Sequence, residues 1–400
     1  MSKISRRQML TWFAVAPALP RFIVNSAEAT ALQTNSAYDG SVVIVVRFMG
    51  GNDGLNAVVP VNDDRYYRAR PTIAIAKNQT IAMPGGEIGL NPWLTDYKRL
   101  MDDGCAAIVQ GIGYPNSSRS HLRGTEIFEC GAVTEPAPRQ GWLGRYVDNY
   151  SDPLTGVQFA DQLGRTLASD RAKSIGNPNL LLEMNADKFE SKTPRSATAR
   201  KLDFLLQVEN DLGDAARQLR KATRGSGSKY EYPNTDFGQS LRWTADMIET
   251  GCPTRVYYLT LGSFATLSSP SFDTHSREIE MHKILYSEFG RALRAFTDHM
   301  KKAGQFNRVL LLTFSEFGRL LEENRSNGTD HGEASMMFVA GGKVRPGLLG
   351  KPLDLGRLNN GGPAPYLDFR QVYASVLRDW LKVDPVKILG EQIQPFQILA

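Results

Sequence analysis

Runs of consecutive apolar residues recur along this chain, and helical patterns of apolar and polar positions lie between them. A short continuous apolar run is typical of a strand that is buried on both faces of a sheet. The runs that best fit such strands are 41–48, 105–111, 254–261, 309–313 and 335–340. Helical patterns occur at 93–101, 122–129, 278–303 and 368–380. This alternation predicts a three-layer α/β/α fold with a mainly parallel central sheet.

Carboxylates and imidazoles that can bind metals lie near the carboxyl ends of these strands. They are Asp53, Asp273, His275, Glu316, Asp330 and His331. Ligands of open α/β sheets bind outside the carboxyl ends of the strands. Such a mixture suits a divalent ion such as zinc, manganese or calcium, and a pair of ions would use about six to eight ligands. The pattern therefore predicts a site for one or two divalent ions.

Two serines lie at the start of the helical pattern 122–129. Ser120 is well placed as the N-cap, and the free backbone N–H groups of a helix start can bind an anion. A hydroxyl beside a metal ion can attack a phosphate or sulfate ester, because the metal lowers the pKa of the hydroxyl. We therefore predict Ser118 or Ser120 as a nucleophile, with Arg119 or His121 helping to hold the anion.

These candidates also have ordinary structural explanations. The alternatives are a turn residue at Asp53, a helix cap at Ser120, a turn cap at Asp273 and a surface pair of Glu316 with Arg319. A shared site is favoured because the candidates follow apolar strands, whereas chance would scatter them. His282 and His299 lie in the helical pattern 278–303 and are interpreted as surface or packing residues.

The N-terminus has the features of an export signal that is separate from the fold. Arg6 and Arg7 precede a moderately apolar stretch, 10–19, and 27–29 fits a small-x-small cleavage site. This predicts a twin-arginine signal peptide over 1–29 and a periplasmic or secreted protein; an uncleaved basic anchor is the alternative. Cleavage would remove four cations and one anion and lower the formal charge from +5 to +2. A nearly neutral chain gives no electrostatic argument for nucleic acid.

The rest of the chain is predicted to be a polar linker, 30–40, followed by one large α/β domain, 41–400. A length of 400 residues also allows two domains. Strand signals weaken over about 150–250, where helical patterns occur at 197–223 and 236–249. We predict a helical insertion or cap there. No segment beyond the N-terminus approaches the ~18 consecutive apolar residues that span a bilayer.

The three cysteines are too few for a disulfide scaffold. A bridge between Cys105 and Cys130 is possible in an oxidising compartment, with Cys252 left free. Buried thiols are slightly favoured, because Cys105 adjoins an apolar run.

Several motifs, taken together and in order, resemble the family called domain of unknown function 1501. They are MGGNDGLN, NSSRSH, FDTH, TFSEFGR and GTDHG, with the twin-arginine start and Asp368-Phe369-Arg370. The resemblance covers essentially the whole chain after the signal. That family looks like a branch of the alkaline phosphatase and sulfatase superfamily, whose members use a Ser, Thr or modified Cys nucleophile between two metal sites.

The resemblance implies a role for each motif residue. Asp53 matches the aspartate ligand that follows the first strand, and Ser118 or Ser120 matches the nucleophile. Asp273 and His275 match a pair of ligands. Glu316 stands in the place of a ligand aspartate, and His331 matches the last histidine ligand. Phe317 stands where a further histidine ligand is expected, which implies that one metal site is weakened or absent. The chain has no Cys-x-Pro-x-Arg motif, which argues against a formylglycine sulfatase mechanism.

The combined expectation is an exported metal-dependent hydrolase of phosphate or sulfate esters with a serine nucleophile. Its substrate would be a small-molecule or polymer-borne ester, and the sequence indicates no nucleic-acid partner. The alternative is a non-catalytic exported binding or assembly protein that keeps the fold and at most one metal. A purely structural metal that clamps the loop 328–332 is a third interpretation.

Overall fold

The computed structural model describes residues 40–150, 152, 154–160, 163–175, 230–266 and 269–400. The predicted signal peptide, the predicted linker up to residue 39 and the predicted helix 197–223 lie outside the described residues. Among the helices that are described, none is long and apolar enough to cross a membrane.

Strands and helices alternate through the described residues. The strands are β1 (Val42–Phe48), β2 (Val58–Val59), β3 (Ile81–Ala82), β4 (Gly89–Leu90), β5 (Ala106–Gly113), β6 (Gly156–Gln158), β7 (Ala172–Ser174), β8 (Val256–Leu261), β9 (Val309–Ser315), β10 (Arg319–Glu323), β11 (Thr329–His331), β12 (Ser335–Gly341), β13 (Gly347–Leu349), β14 (Leu358–Asn359), β15 (Gly362–Pro363) and β16 (Leu367–Asp368). The α-helices are α1 (Gly54–Ala57), α2 (Asp64–Ala69), α3 (Thr95–Asp102), α4 (His121–Cys130), α5 (Trp142–Val147), α6 (Asp236–Glu249), α7 (Glu278–Lys302), α8 (Phe369–Ser375) and α9 (Pro385–Leu389). Short 3-10 turns lie at Lys77–Gln79, Pro92–Leu94, Arg165–Leu167 and Phe306–Arg308, and α8 continues as a π-helix over Val376–Trp380.

Nine of these strands form one central sheet, in the order β13-β5-β12-β9-β1-β8-β6-β7, with β16 beside β5. β12 runs antiparallel to both of its neighbours, and the other pairs in the sheet are parallel. The predicted α/β fold with a mainly parallel sheet is therefore confirmed. The antiparallel direction of β12 was not predicted, because strand direction leaves no mark on an apolar run.

Alternate side chains of β1 enter two separate cores, one on each face of the sheet. Ile44 and Val46 pack on one face in a core that includes Phe289 of α7. Val43 and Val45 pack on the other face in a core that includes Phe128 of α4. Helices thus cover both faces, which explains why β1 is apolar at nearly every position. Cys105, Cys130 and Cys252 are buried free thiols.

The central strands end at the same level. β1 pairs in parallel with β8 and β9, and the register sets Phe48 beside both Leu261 and Ser315. The segments that follow these three strands therefore leave the sheet at one edge. The segment with Asp330 and His331, predicted as a loop, instead forms β11, which pairs antiparallel with β10.

Helix α4 comes very close to the end of β9 at Gly124. A Cβ atom on Gly124 would lie 2.5 Å from the carbonyl oxygen of Glu316. Since no side chain intervenes, the first turns of α4 can approach this end of the sheet.

We expect Gly124→Ala to destabilise the fold. Alanine inside a helix is usually more stable than glycine by about 0.5–1 kcal/mol. Here the added methyl group meets the backbone of Glu316, so we expect a net loss of about 1–3 kcal/mol, which urea unfolding measures. Leu122→Ala is the matched control, because Leu122 is 83% exposed on the same helix. A gain in stability for Gly124→Ala would contradict this packing.

Candidate metal centre

Three histidines and one aspartate meet at the carboxyl edge of the sheet. His121 begins α4, Asp273 and His275 lie between β8 and α7, and His331 ends β11. Asp273 Oδ1 is 3.2 Å from both His275 Nε2 and His331 Nε2, and Asp273 Oδ2 is 3.4 Å from His121 Nε2. The Nε2 atoms of His275 and His331 are 2.8 Å apart. All three imidazoles therefore turn the same ring nitrogen toward one carboxylate.

The other ring nitrogen of each histidine contacts an oxygen. His275 Nδ1 is 2.9 Å from Asp330 Oδ1, and His331 Nδ1 is 2.8 Å from the carbonyl oxygen of Arg119. Carbonyl and carboxylate oxygens only accept hydrogen bonds, so both Nδ1 atoms donate. In the neutral rings, Nε2 then carries a lone pair rather than a proton.

This tautomer leaves lone pairs facing each other. The Nε2 atoms of His275 and His331 and one oxygen of Asp273 lie within 3.2 Å of one another. Such an arrangement needs a proton on one ring or a cation among the three atoms. Three imidazoles and a carboxylate are a donor set that zinc and manganese accept, and oxygen partners on the outer nitrogens are typical of metal-binding histidines. His121, Asp273 and His331 thus form a group that can hold a metal ion.

Glu316 supports His121 from the opposite side. It directly follows β9 and is fully buried. Its Oε1 lies 3.1 Å from His121 Nδ1 and accepts the Gly50 N–H at 2.9 Å. Burial would raise the pKa of Glu316, but His121 and Arg47 lower it below the usual value. Glu316 was predicted as a metal ligand. In this structure it contacts His121 at the nitrogen that faces away from Asp273.

The charges of the cluster depend on one another. Burial would raise the pKa of Asp273, yet hydrogen bonds from His121 and Arg319 hold this pKa far below its ordinary value. Hydrogen bonds to Asp273 and Glu316 raise the pKa of His121 to about 9, although burial acts in the opposite direction. In the absence of an ion, His121 is therefore an imidazolium at neutral pH. A metal would have to displace its Nε2 proton.

Arg319 is a buried residue of the site that the sequence analysis did not select. Its guanidinium donates to Asp273 Oδ1 at 2.8 Å and to the carbonyl oxygens of Gly50, Gly51, Phe272 and Thr329. The suggested surface pair of Glu316 with Arg319 is wrong, because both residues are buried and each has other partners. Only the tertiary fold reveals the burial of Arg319, since arginine side chains usually reach solvent.

Asp53 lies in a second buried cluster. Its carboxylate caps α1 by accepting the Leu55 N–H at 3.0 Å and pairs with the fully buried Arg70 at 2.5 Å. Burial would raise the pKa of Asp53, but Arg70 lowers it. Among the described contacts, Asp53 touches none of the three site histidines. It was predicted as a metal ligand, and here Arg70 is the cation that neutralises it.

Two further groups belong to this buried cluster. Burial and the nearby Asp53 raise the pKa of Glu278 well above its usual value, and Glu278 accepts hydrogen bonds from Asn56 and Thr329. His282 is fully buried, and its ring nitrogens have no hydrogen-bond partner among the described residues. Burial lowers the pKa of His282 to about 4, so its ring is neutral at ordinary pH.

The serine segment runs beside the histidines. Ser120 caps α4, where its hydroxyl accepts the Arg123 N–H at 3.5 Å, and the Ser118 hydroxyl accepts the Ser120 N–H at 3.3 Å. The guanidinium of Arg119 donates to the carbonyl oxygens of Asn359 and Asn360, while the Arg119 carbonyl contacts His331.

Phe317 provides an apolar wall. Its ring centroid lies 4.3 Å from that of His331 and 4.9 Å from that of His121. A Cβ on Gly51 would lie 2.2 Å from the Phe317 ring, and the φ angle of Gly51 is +88°, so only glycine fits there. The glycine of the GGNDG turn therefore makes room for the phenylalanine.

Fold and site together define an α/β protein with a candidate metal centre at the carboxyl edge of its sheet. The model of the family described as "Protein of unknown function (DUF1501)" matches residues 112–360, more than half of the chain. The chain therefore belongs to this family. A search of curated protein sequences found no match.

Solved structures with a distantly similar fold include the following three. A protein of the alkaline phosphatase superfamily from Vibrio parahaemolyticus has 10% identity and a TM-score of 0.38, over 88% of this chain and 70% of that one. A phosphonate monoester hydrolase from Silicibacter pomeroyi has 9% identity and a TM-score of 0.37, over 89% and 78%. A sulfatase from a Pseudoalteromonas species has 12% identity and a TM-score of 0.38, over 88% and 68%. These similarities are distant.

We expect Arg70→Ala to destabilise the protein strongly. It leaves the Asp53 carboxylate buried without its cation, which costs about 3–5 kcal/mol in measured cases. The double variant Asp53→Asn/Arg70→Met removes both charges at similar side-chain volume. We expect it to lose less stability than Arg70→Ala. Urea unfolding of both proteins makes the comparison. Equal losses in both variants would show that packing, rather than the unpaired charge, dominates.

Proposed function

We propose that this protein is a metal-dependent hydrolase of phosphate or sulfate esters. The observation that carries the proposal is the meeting of the Nε2 atoms of His121, His275 and His331 at Asp273. Each outer nitrogen is held by an oxygen, so the ring orientations are set before an ion binds. A donor set with three imidazoles favours zinc or manganese over calcium, which prefers oxygen ligands.

A single ion fits these residues better than a pair. His121, Asp273, His275 and His331 would be its ligands, with Glu316 and Asp330 orienting two of the rings. The carboxylate of Asp53 is already paired with Arg70, and Phe317 offers no ligand atom. When bound, the ion would stabilise negative charge on an ester oxygen and lower the pKa of a nearby hydroxyl.

The chain's own groups would handle the ester at the start of α4. Ser118 or Ser120 would attack phosphorus or sulfur, since both lie within three residues of His121. The backbone N–H groups at the helix start would bind the anionic oxygens. Arg119 is a weaker candidate for this role, because its guanidinium is bound to the carbonyls of Asn359 and Asn360.

Export belongs to the same proposal. It rests on Arg6 and Arg7, the apolar stretch 10–19 and the cleavage pattern at 27–29. A periplasmic or secreted enzyme would meet esters from outside the cytoplasm.

We expect His331→Ala and Asp273→Ala each to lose the bound metal, because each removes a central ligand. Elemental analysis of the purified proteins should give about one ion per chain for wild type and little for either variant. Asp102→Ala is the control, since Asp102 is exposed at the end of α3, pairs with Lys98 and belongs to neither group of described residues that could hold a metal ion. Unchanged metal content in both site variants would disprove the assignment.

We expect one of Ser118→Ala and Ser120→Ala to abolish turnover while the metal is retained. Loss of a nucleophile typically lowers kcat by about 10³-fold or more. The assay measures hydrolysis of chromogenic phosphate and sulfate monoesters and diesters. The other serine variant serves as the internal control. Turnover that survives in both variants would exclude a serine nucleophile.

The second candidate function is a non-catalytic binding or assembly protein with one metal. Two observations favour it: Arg70 neutralises the Asp53 carboxylate, and Phe317 contributes an apolar ring beside His331. One bound ion per chain without turnover of any tested ester would support this function instead.

A further inference from the structure

A groove lies beside the candidate metal centre. Two adjoining cavities, of about 520 and 430 Å³, share Asn116 and Asn359 in their walls. Each falls within the range of about 300–1,000 Å³ that is usual for ligand sites. We name this feature the amide groove after three wall residues, Asn116, Asn359 and Asn360.

Arg119 connects the amide groove with the histidines. Its carbonyl oxygen accepts the hydrogen bond from His331 Nδ1, and its side chain lines the groove. The guanidinium is fixed at 2.8 Å from the carbonyl oxygen of Asn359 and 3.1 Å from that of Asn360. Glu333, which is 95% buried, lies 3.4 Å from this guanidinium and accepts a hydrogen bond from the Asn359 amide at 3.2 Å. These contacts fix the wall of the groove, and Arg119 joins that wall to the metal centre.

Two amide side chains of the groove are available to a ligand. The side chains of Asn116 and Asn360 make no hydrogen bond within the described residues, and both residues line the groove. Their φ angles are +57° and +44°, in the left-handed region that asparagine tolerates but glycine adopts more easily. A side-chain amide can donate and accept hydrogen bonds, and so can a hydroxyl group, so the two are complementary partners.

An aromatic ring forms the far end of the groove. Tyr366 is 36% exposed and lines the second cavity. Its ring packs against Gly111, where a Cβ would collide with the ring, and its hydroxyl bonds with the backbone of Lys351. The ring is thus held in place as a flat wall with an apolar face and a polar edge.

The charges of the groove are mostly paired. Arg119 pairs with Glu333, and Asp368 pairs with Arg370. Arg357 lines the groove and forms no ion pair within the described residues. One unpaired cation is too few for a nucleic acid, whose binding depends on several.

We propose that the amide groove binds a saccharide chain that carries the ester group to the metal centre. The free amides of Asn116 and Asn360 bond with sugar hydroxyls, the Tyr366 ring packs against the apolar face of a sugar, and Arg357 accommodates one acidic substituent. This inference names a substrate class and rests on the proposed function only for the position of the ester. Saccharide binding itself needs no metal.

The test is binding to an array of immobilised neutral and acidic oligosaccharides. Wild type should bind a subset of them, and Asn116→Gly/Asn360→Gly should bind that subset about tenfold more weakly, since two hydrogen-bonding side chains are lost. Glycine preserves the left-handed backbone at both positions. Lys382→Gly is the matched control, because Lys382 also has a left-handed φ of +58° and does not line the groove.

Two further variants make the result decisive. Tyr366→Ala tests the aromatic wall separately and should also weaken binding. His331→Ala should retain saccharide binding, because the groove does not include the metal ligands. If wild type binds saccharide but has neither metal nor turnover, the saccharide inference stands and only the proposed hydrolase function is contradicted. Absence of binding to every saccharide would overturn the inference. Equal binding by wild type, the double asparagine variant and Tyr366→Ala would also overturn it, as would recognition of peptides instead of saccharides.

Discussion

The candidate site depends on one buried guanidinium. Arg319 donates to carbonyl oxygens in the segments that follow β1 and β8 and in β11, and it also holds the Asp273 carboxylate. Backbone carbonyls at strand ends would otherwise be buried without partners, at a cost of several kcal/mol. A planar group with five donors can satisfy several of them at once. This arrangement keeps three separate stretches of chain in one place.

Two groups of charged side chains near this edge of the sheet are neutralised in different ways. At Asp53, Arg70 provides the positive charge, and burial raises the pKa of Glu278, which favours its neutral form. At Asp273, the Arg319 guanidinium provides one positive charge and the His121 imidazolium provides another. The Asp53 group is neutralised by a cation of the protein itself. The Asp273 group has three imidazole nitrogens directed at one point, which is the feature expected of a ligand-binding centre.

Much of the framework could be predicted from local pattern. The predicted strand 41–48 is β1, Val42–Phe48, the predicted helix 236–249 has the same bounds as α6, and the helix predicted over 278–303 is α7, Glu278–Lys302. These elements are long or strongly periodic, and the hydrophobic pattern alone favours one conformation for them. The structure also brings together four of the candidate residues that the sequence indicated: His121, Asp273, His275 and His331. Their position near the ends of strands in one sheet is enough to predict that they lie close together.

The sequence by itself determined the alternation of elements, the apolar runs that become sheet, and the set of polar residues available at its edge. Tertiary structure decided how those residues are used. Arg70 reaches Asp53 across 17 positions of the chain, and Glu316 contacts the outer nitrogen of His121 although it was expected to face a metal. Such pairings depend on side-chain direction and on which loops meet, and neither leaves a periodic signal in the sequence. For the same physical reason, the direction of β12 and the burial of Arg319 became visible only in the folded chain.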